Sequence, residues 1–201
     1  MNELTLLQTV RLKGRVRPAD LAATLDEREI TVAEAVNELG EAGLLTEGKL
    51  VRLSPAGRDR LTELLAAERR EIDGEAFAGT YDEFRSVNSE FKTLVSEWQV
   101  RNGEPNDHGD AEYDAAILGR LDGVHRSVLP ILAMAAKQLP RLTAYAAKLS
   151  AALHRIQAGD TTWFTRPIVD SYHTVWFELH EELIGAAGLT REDEAKSGHA
   201  E

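Results

Sequence analysis

Pro18-Ala-Asp-Leu-Ala-Ala-Thr-Leu25, Asp26-Glu-Arg-Glu-Ile30 and Thr31-Val-Ala-Glu-Ala-Val-Asn-Glu-Leu39 read as two short helices separated by a tight break. Pro18 suits the first turn of a helix, where its missing N–H is no loss. Thr31-x-x-Glu34 has the spacing of a capping box, which predicts that the second helix starts at Thr31. Val32, Ala35, Val36 and Leu39 recur at helical spacing and form its inward face. Gly43 suits the position just past a helix end, where a positive φ closes the last turn. Thr46-Glu-Gly-Lys-Leu-Val-Arg-Leu53 then reads as a tight hairpin. Ser54 and Pro55 cap and begin a further helix, running to about Glu71 with Leu61, Leu64 and Leu65 as its apolar face. Leu4 to Leu12, with Leu6, Leu7 and Val10 on one side, supplies a helix ahead of this block. Residues 1–70 are therefore expected to form a helix-turn-helix with a small β-hairpin wing, a unit that commonly lays one helix in a DNA groove.

Charge supports and complicates that expectation. Residues 1–70 hold 11 Lys/Arg against 12 Asp/Glu, and residues 71–201 hold 12 against 22, so nearly all of the net charge of −11 lies in the second part. An acidic segment repels nucleic acid, so any DNA contact belongs to the first part. Arg15 and Arg17 near the first connection, with Lys49 and Arg52 on the wing, occupy positions from which such a fold touches phosphates. Arg11, Lys13, Arg58 and Arg60 add to the basic residues around them. Thr31, at the start of the expected groove helix, and Asn37, on its outward face, are candidate DNA contacts, and Asn37 has the donor and acceptor needed to read adenine. Glu34, Glu38 and Glu41 share that face, with no Lys or Arg among them.

The remainder reads as all helix, with no strand signal beyond the wing. Ala76 to Arg101 carries Phe77, Tyr81, Phe84, Val87, Phe91, Leu94 and Trp98 at helical spacing. Asn102 to Asp110 is a Gly/Pro/Asn-rich loop. A long helix follows from Ala111 to Gln138, with Pro130 expected to kink it. Pro140 begins another helix that ends near Ala158. The last helix is expected from about Pro167 to Ala187. Residues 71–190 should thus form a helical bundle, and the charged residues 191–201 a disordered tail.

Leu44-Leu-Thr-Glu-Gly-Lys-Leu-Val-Arg-Leu-Ser-Pro-Ala-Gly-Arg58, with the helices before it, resembles the wing and following helix of the multiple-antibiotic-resistance type of winged-helix regulators. The resemblance covers about the first third of the chain and implies a dimeric DNA-binding repressor. Farther on, Asn88-x-x-Phe91-Lys92, Ala158-Gly-Asp160 and His173 are similar in order to the helical effector domain of the gluconate-repressor superfamily. Asn88 and Lys92 stand where those domains carry Asp and His, so the resemblance does not bring their metal site with it. Helices like Tyr81 to Arg101 behind a winged helix also look like accessory modules of phosphoenolpyruvate-utilising phosphotransferases.

The densest polar cluster is Arg166-Pro-Ile-Val-Asp-Ser-Tyr-His-Thr-Val-Trp-Phe-Glu-Leu-His180. On the expected helix, Arg166, Asp170, His173, Phe177 and His180 share one stripe, and Val169, Tyr172, Val175, Trp176, Leu179 and Leu183 form the core stripe. Arg166, Asp170 and His173, with Trp176 beneath them, are the candidate ligand-binding residues. The expected ligand is a small anion, because an Arg held by an Asp can still face one. Asp170-x-x-His173 and Asp122-x-x-His125 echo the pairs of dimetal helical bundles, but such bundles use Glu. His173 and His180 lie about 10 Å apart by helix rise, too far for one ion. No metal and no cofactor is expected. The chain has no cysteine, which excludes thiolate metal sites and disulfides. No nucleophile elbow, phosphate loop or zinc helix motif is present, so no catalytic residue and no enzyme activity is expected. The start lacks a basic and apolar leader and the apolar runs are too short to span a bilayer, so the expected location is cytoplasmic with no membrane partner.

The expected fold is mainly α: an N-terminal winged helix-turn-helix, then a C-terminal helical bundle. The expected function is a bacterial DNA-binding transcriptional regulator, acting as a homodimer through a dimerising or effector-sensing bundle. The alternative is a non-enzymatic protein-interaction or regulatory module, associated with a phosphoenolpyruvate-utilising enzyme and without DNA binding.

Overall fold

The computed structural model describes residues 2–46, 48–190, 192 and 194. The chain divides into two compact units, Met1–Glu71 and Ile72–Glu201, each with its own hydrophobic core. It is mainly helical, at 74% helix, with eight α-helices and two small antiparallel hairpins among the described residues.

The first unit runs α1 (Glu3–Lys13), α2 (Pro18–Leu25), α3 (Glu29–Glu41), β1 (Leu45–Thr46), β2 (Arg52–Leu53) and α4 (Pro55–Arg70). Asp26 ends α2 in the left-handed region at φ 53, a conformation that Asp tolerates better than most residues. Its turn lets Glu27 N–H donate to the Ala22 carbonyl at 3.0 Å. The chain is thereby already redirected, and α3 starts at Glu29, with Arg28 extended at its N-cap and no side-chain cap. The helix thus begins two residues before the predicted Thr31, which sits inside its first turn. The far end matches expectation. Gly43 takes φ 73, and Leu44 N–H donates to the Leu39 carbonyl at 2.9 Å while Gly43 N–H donates to Gly40 at 2.8 Å, a Schellman closure.

β1 and β2 pair antiparallel, with Leu45 opposite Leu53 and Thr46 opposite Arg52. Val16, between α1 and α2, joins this hairpin through reciprocal bonds with Val51 of 3.1 and 2.8 Å. Ser54 then fastens α4 to the end of α3. Its hydroxyl donates to the Gly43 carbonyl at 2.6 Å and accepts from Gly57 N–H at 2.9 Å. Gly57 meets the Leu44 backbone so closely that a Cβ there would lie 2.0 Å from the Leu44 carbonyl oxygen. The core of this unit is aliphatic, built on Leu6, Leu7, Val10, Leu21, Val32 and Leu61. Every aromatic residue of the chain lies at or beyond Phe77.

The second unit runs α5 (Gly74–Gln99), β3 (Val100–Arg101), β4 (Glu104–Pro105), α6 (Ala111–Gln138), α7 (Thr143–Gln157) and α8 (Tyr172–Ala186). Single 3-10 turns at Pro140–Leu142 and Thr161–Trp163 flank α7. Helix α5 packs on α6 and α8, and α7 packs on the same two helices, so the four enclose one core. Helix α6 continues through Pro130 without a break.

The second unit also departs from the sequence expectation. The loop after α5 contains a second hairpin, because Asn102 and Gly103 both take positive φ, 54 and 84, as a type I′ turn requires. Helix α7 starts at Thr143, since Pro140 opens a 3-10 turn first. Helix α8 starts at Tyr172, five residues after Pro167. The buried Ser171 caps it by accepting from Thr174 N–H at 3.3 Å, and Ile168 at φ 71 breaks any helix before it. The expected tail, residues 191–201, lies outside the described residues apart from Glu192 and Glu194. Glu194 is not disordered: it is buried and hydrogen-bonded to Tyr81.

Candidate nucleic-acid interface and ligand cleft

In the first unit, Arg15, Arg28 and Lys49 are exposed and make no side-chain bond to the described residues. Arg28 stands at the N-cap of α3. It was missed by sequence reasoning because the capping-box spacing moved the helix start to Thr31. The other candidate cations are partly engaged. Arg17 forks onto Asp20 at 2.7 and 2.8 Å, and that bond holds the Asp20 carboxyl below its usual range. Arg52 Nε donates to Thr46 Oγ1 at 3.3 Å across the hairpin. Arg60 is held by Glu3 at 2.9 and 3.0 Å. Thr31 is half-buried and Asn37 is exposed on α3. Glu29, Glu34, Glu38 and Glu41 are exposed on the same helix, which contains no Lys or Arg.

The second unit is organised by aromatic side chains. Tyr81, Phe84, Phe91 and Trp98 line the inner face of α5. Phe91 stacks on Trp176 with ring centroids 4.3 Å apart, and Phe84 stacks on the same indole at 5.3 Å. Trp176 Nε1–H donates to Asn88 Oδ1 at 2.8 Å. This bond satisfies the indole N–H and the Asn88 amide oxygen, and Asn88 is buried in the core. Phe164 packs edge-on against Phe91 and Trp98 at 6.2 and 5.3 Å.

Buried polar groups sit at defined points between the helices. The Tyr81 hydroxyl donates to Glu194 at 2.7 Å. Its proton is thereby used, so its 3.1 Å bond to His180 forms with Nε2–H donating. Burial raises Glu194, but the Arg85 guanidinium and the Tyr81 hydroxyl outweigh it and hold the carboxyl below its usual range. Arg141 pairs with Glu182 at 2.5 Å, both largely buried. Tyr145 also donates to Glu182 at 3.3 Å. Burial, with Glu182 and Glu178 nearby, keeps the Tyr145 hydroxyl protonated. His125 lies 3.2 Å from the Tyr172 hydroxyl and 3.4 Å from Ser150 Oγ. Burial pushes its pKa down despite Asp122. Asp122 itself accepts from Gln157 at 3.0 Å.

The later start of α8 separates the predicted ligand residues. Arg166 and Asp170 precede the helix, so Arg166, Asp170, His173, Phe177 and His180 do not form one helical stripe. Asp170 and His173 are half-buried, Trp176 is in the core, and Phe177 is 42% exposed. Of the core stripe, Tyr172, Val175, Trp176, Leu179 and Leu183 are buried and Val169 is not. Arg166 is exposed and lines a cleft of about 450 Å³ together with Trp98, His108, Thr161, Thr162, Thr165 and Pro167. Asp170, His173 and Trp176 are not among its walls. His108, at φ 56, is fixed by Asp114 at 2.9 Å from Nδ1 and lies over Trp98 with centroids 4.4 Å apart.

Among the described residues no group of three or more His, Cys, Asp or Glu side chains is placed to hold a metal ion. No described helix is long and apolar enough to cross a membrane. The chain matches no family model, no curated protein and no solved structure.

Proposed function

We propose that this chain is a bacterial DNA-binding transcriptional regulator. In this reading residues 2–71 act as a winged helix-turn-helix, and residues 72–190 as a helical bundle that dimerises or senses a small anion. The observation that carries it is the first unit's build: two helices joined by the three-residue turn Asp26–Arg28, then a hairpin and α4, with Arg15, Arg28 and Lys49 exposed and not engaged by the described residues. A helix-turn-helix contacts bases with the N-terminal part of its second helix. Here that end is α3, and Arg28 brings the one cation to a helix that otherwise presents carboxylates. Arg17, paired with Asp20 at the surface, and Arg52, bonded to Thr46, supply further phosphate contacts, and the half-buried Thr31 and the exposed Asn37 are the uncharged polar groups that α3 offers. Two half-sites in a homodimer multiply an affinity that one such unit would leave low.

The exposed Glu29, Glu34, Glu38 and Glu41, with Ile30 60% and Leu50 44% exposed, favour a second reading: a non-enzymatic protein-interaction module that binds no nucleic acid. Anisotropy titrations against random-sequence duplex DNA over a range of salt separate the two. The regulator reading expects salt-sensitive binding, and Arg28→Glu or Lys49→Glu should weaken it and reduce the salt slope by about one unit each. No binding at low salt, or binding indifferent to Arg15→Glu, Arg28→Glu and Lys49→Glu, favours the interaction module.

A further inference from the structure

The cleft beside Arg166 has walls whose hydrogen-bond donors are unspent. The Arg166 guanidinium, the Trp98 indole N–H and the Thr161 and Thr165 hydroxyls have no partner among the described residues. The polar chains that lie near them are already used: His108 is bound by Asp114, and Thr162 donates to Asp160 at 2.5 Å. No carboxylate lines the cleft. In the core of the second unit buried polar groups are paired, as Trp176 with Asn88 and Arg141 with Glu182 show. A concave site with one cation, several neutral donors and no acceptor charge is complementary to an anion. Trp98 and Pro167 add apolar wall, so the complementary anion has an apolar body as well as a charged end. The volume lies in the range that holds small organic ligands, roughly 300–1,000 Å³.

The backbone beside the cleft carries an independent mark. Ile168, next to Pro167, holds φ 71 while 98% exposed. A β-branched residue at positive φ is strained, and its own packing gives nothing back here. Such strain persists where surrounding structure over-determines the backbone, and it gathers at ligand sites. The turn is indeed fixed on both sides, by His173 N–H on the Phe164 carbonyl at 2.9 Å and Arg166 N–H on Thr162 at 2.9 Å.

We propose that this cleft binds a small organic carboxylate with a short ring or alkyl body, the carboxylate on Arg166 and the body against Trp98 and Pro167. This deepens the regulator reading and rests on its ligand-sensing second unit. Binding is measured on the full chain without DNA, so its failure and a failure of DNA binding are distinguishable. The probes are phenylacetate, its neutral amide phenylacetamide, and sulfate, titrated by calorimetry and by tryptophan fluorescence.

The expected result is that phenylacetate binds and phenylacetamide binds about tenfold more weakly or less, because the charge-assisted bonds to the guanidinium are lost. Arg166→Gln should weaken phenylacetate by a similar factor, and Arg166→Lys by less. Arg166 holds no partner among the described residues, so Arg166→Gln should leave the melting temperature of the free protein unchanged. Equal binding of phenylacetate to Arg166→Gln, equal binding of the acid and its amide, or no binding of phenylacetate at millimolar concentration overturns the proposal. Sulfate binding as tightly as phenylacetate overturns the apolar half of it.

Discussion

Gly57→Ala should destabilise the first unit, against the direction that helix propensity dictates. Gly57 lies in the first turn of α4, and in a helix interior Ala is favoured over Gly by about 1 kcal/mol. The added Cβ, however, would fall 2.0 Å from the Leu44 carbonyl oxygen and 2.9 Å from its carbon. Both are backbone atoms, so no rotamer change relieves the overlap. Either α4 or the Leu44 segment must move by about 1 Å, an overpacking that costs roughly 1–3 kcal/mol. The same movement stretches the bonds that join these segments, Ser54 N–H to Leu44 at 3.0 Å and Ser54 Oγ to Gly43 at 2.6 Å. Each is worth about 1 kcal/mol. The net expectation is a loss of roughly 2–3 kcal/mol, a large share of the ~5–15 kcal/mol typical of a whole domain.

The distribution of chromophores suits the assay. All three tryptophans, Trp98, Trp163 and Trp176, lie in the second unit, so fluorescence during urea unfolding reports that unit and far-UV circular dichroism reports both. Gly57→Ala should move part of the dichroism transition to lower urea. Gly79→Ala in α5, where an added Cβ meets nothing within 4 Å, should move the fluorescence transition to higher urea by about 0.5–1 kcal/mol. If Gly57→Ala unfolds at the same urea concentration as the parent or later, the close approach of α4 to Leu44 is wrong.

Ile168→Asn should raise the melting temperature, because Asn tolerates the left-handed region and the 98% exposed Ile168 forfeits no packing; an unchanged or lower value by calorimetry counts against strain there. Arg141→Ala should destabilise the second unit by about 3–5 kcal/mol, since it strands the buried Glu182; a fluorescence-detected urea midpoint within experimental scatter of the parent would refute it. Burial lowers the His125 pKa below its usual value near 6.5, so the unfolded chain takes up this proton first and stability falls as pH drops through about 6.5 toward the lower folded value. Urea midpoints between pH 7 and 5 should therefore decline less steeply in His125→Gln, and an equal slope in both proteins refutes the assignment to His125.

Local pattern determined much of the fold. The apolar spacing of α1, α5 and α6, Pro18 at a helix start, the Ser54-Pro55 cap and the Gly43 closure depend on residues within a turn or two of one another, so they are legible from the chain alone. Asn102-Gly103 was also a local signal, a type I′ turn, obscured by the polar residues around it. The start of α3 was not legible, because the capping-box spacing at Thr31 was the local signal, whereas the turn at Asp26, with Glu27 N–H on the Ala22 carbonyl, redirects the chain two residues earlier. The start of α8 depended on burial of Ser171 and on a backbone strain at Ile168 that no propensity favours. The candidate ligand site shifted for that reason: Arg166 fell off the helix and away from Trp176, whose N–H went to Asn88. The cleft brings Trp98 and His108 against Thr161 to Pro167, more than fifty residues along the chain. Only packing of the enclosing helices makes that meeting, and packing likewise leaves Arg166 without a partner among the described residues while it spends Arg141 on Glu182.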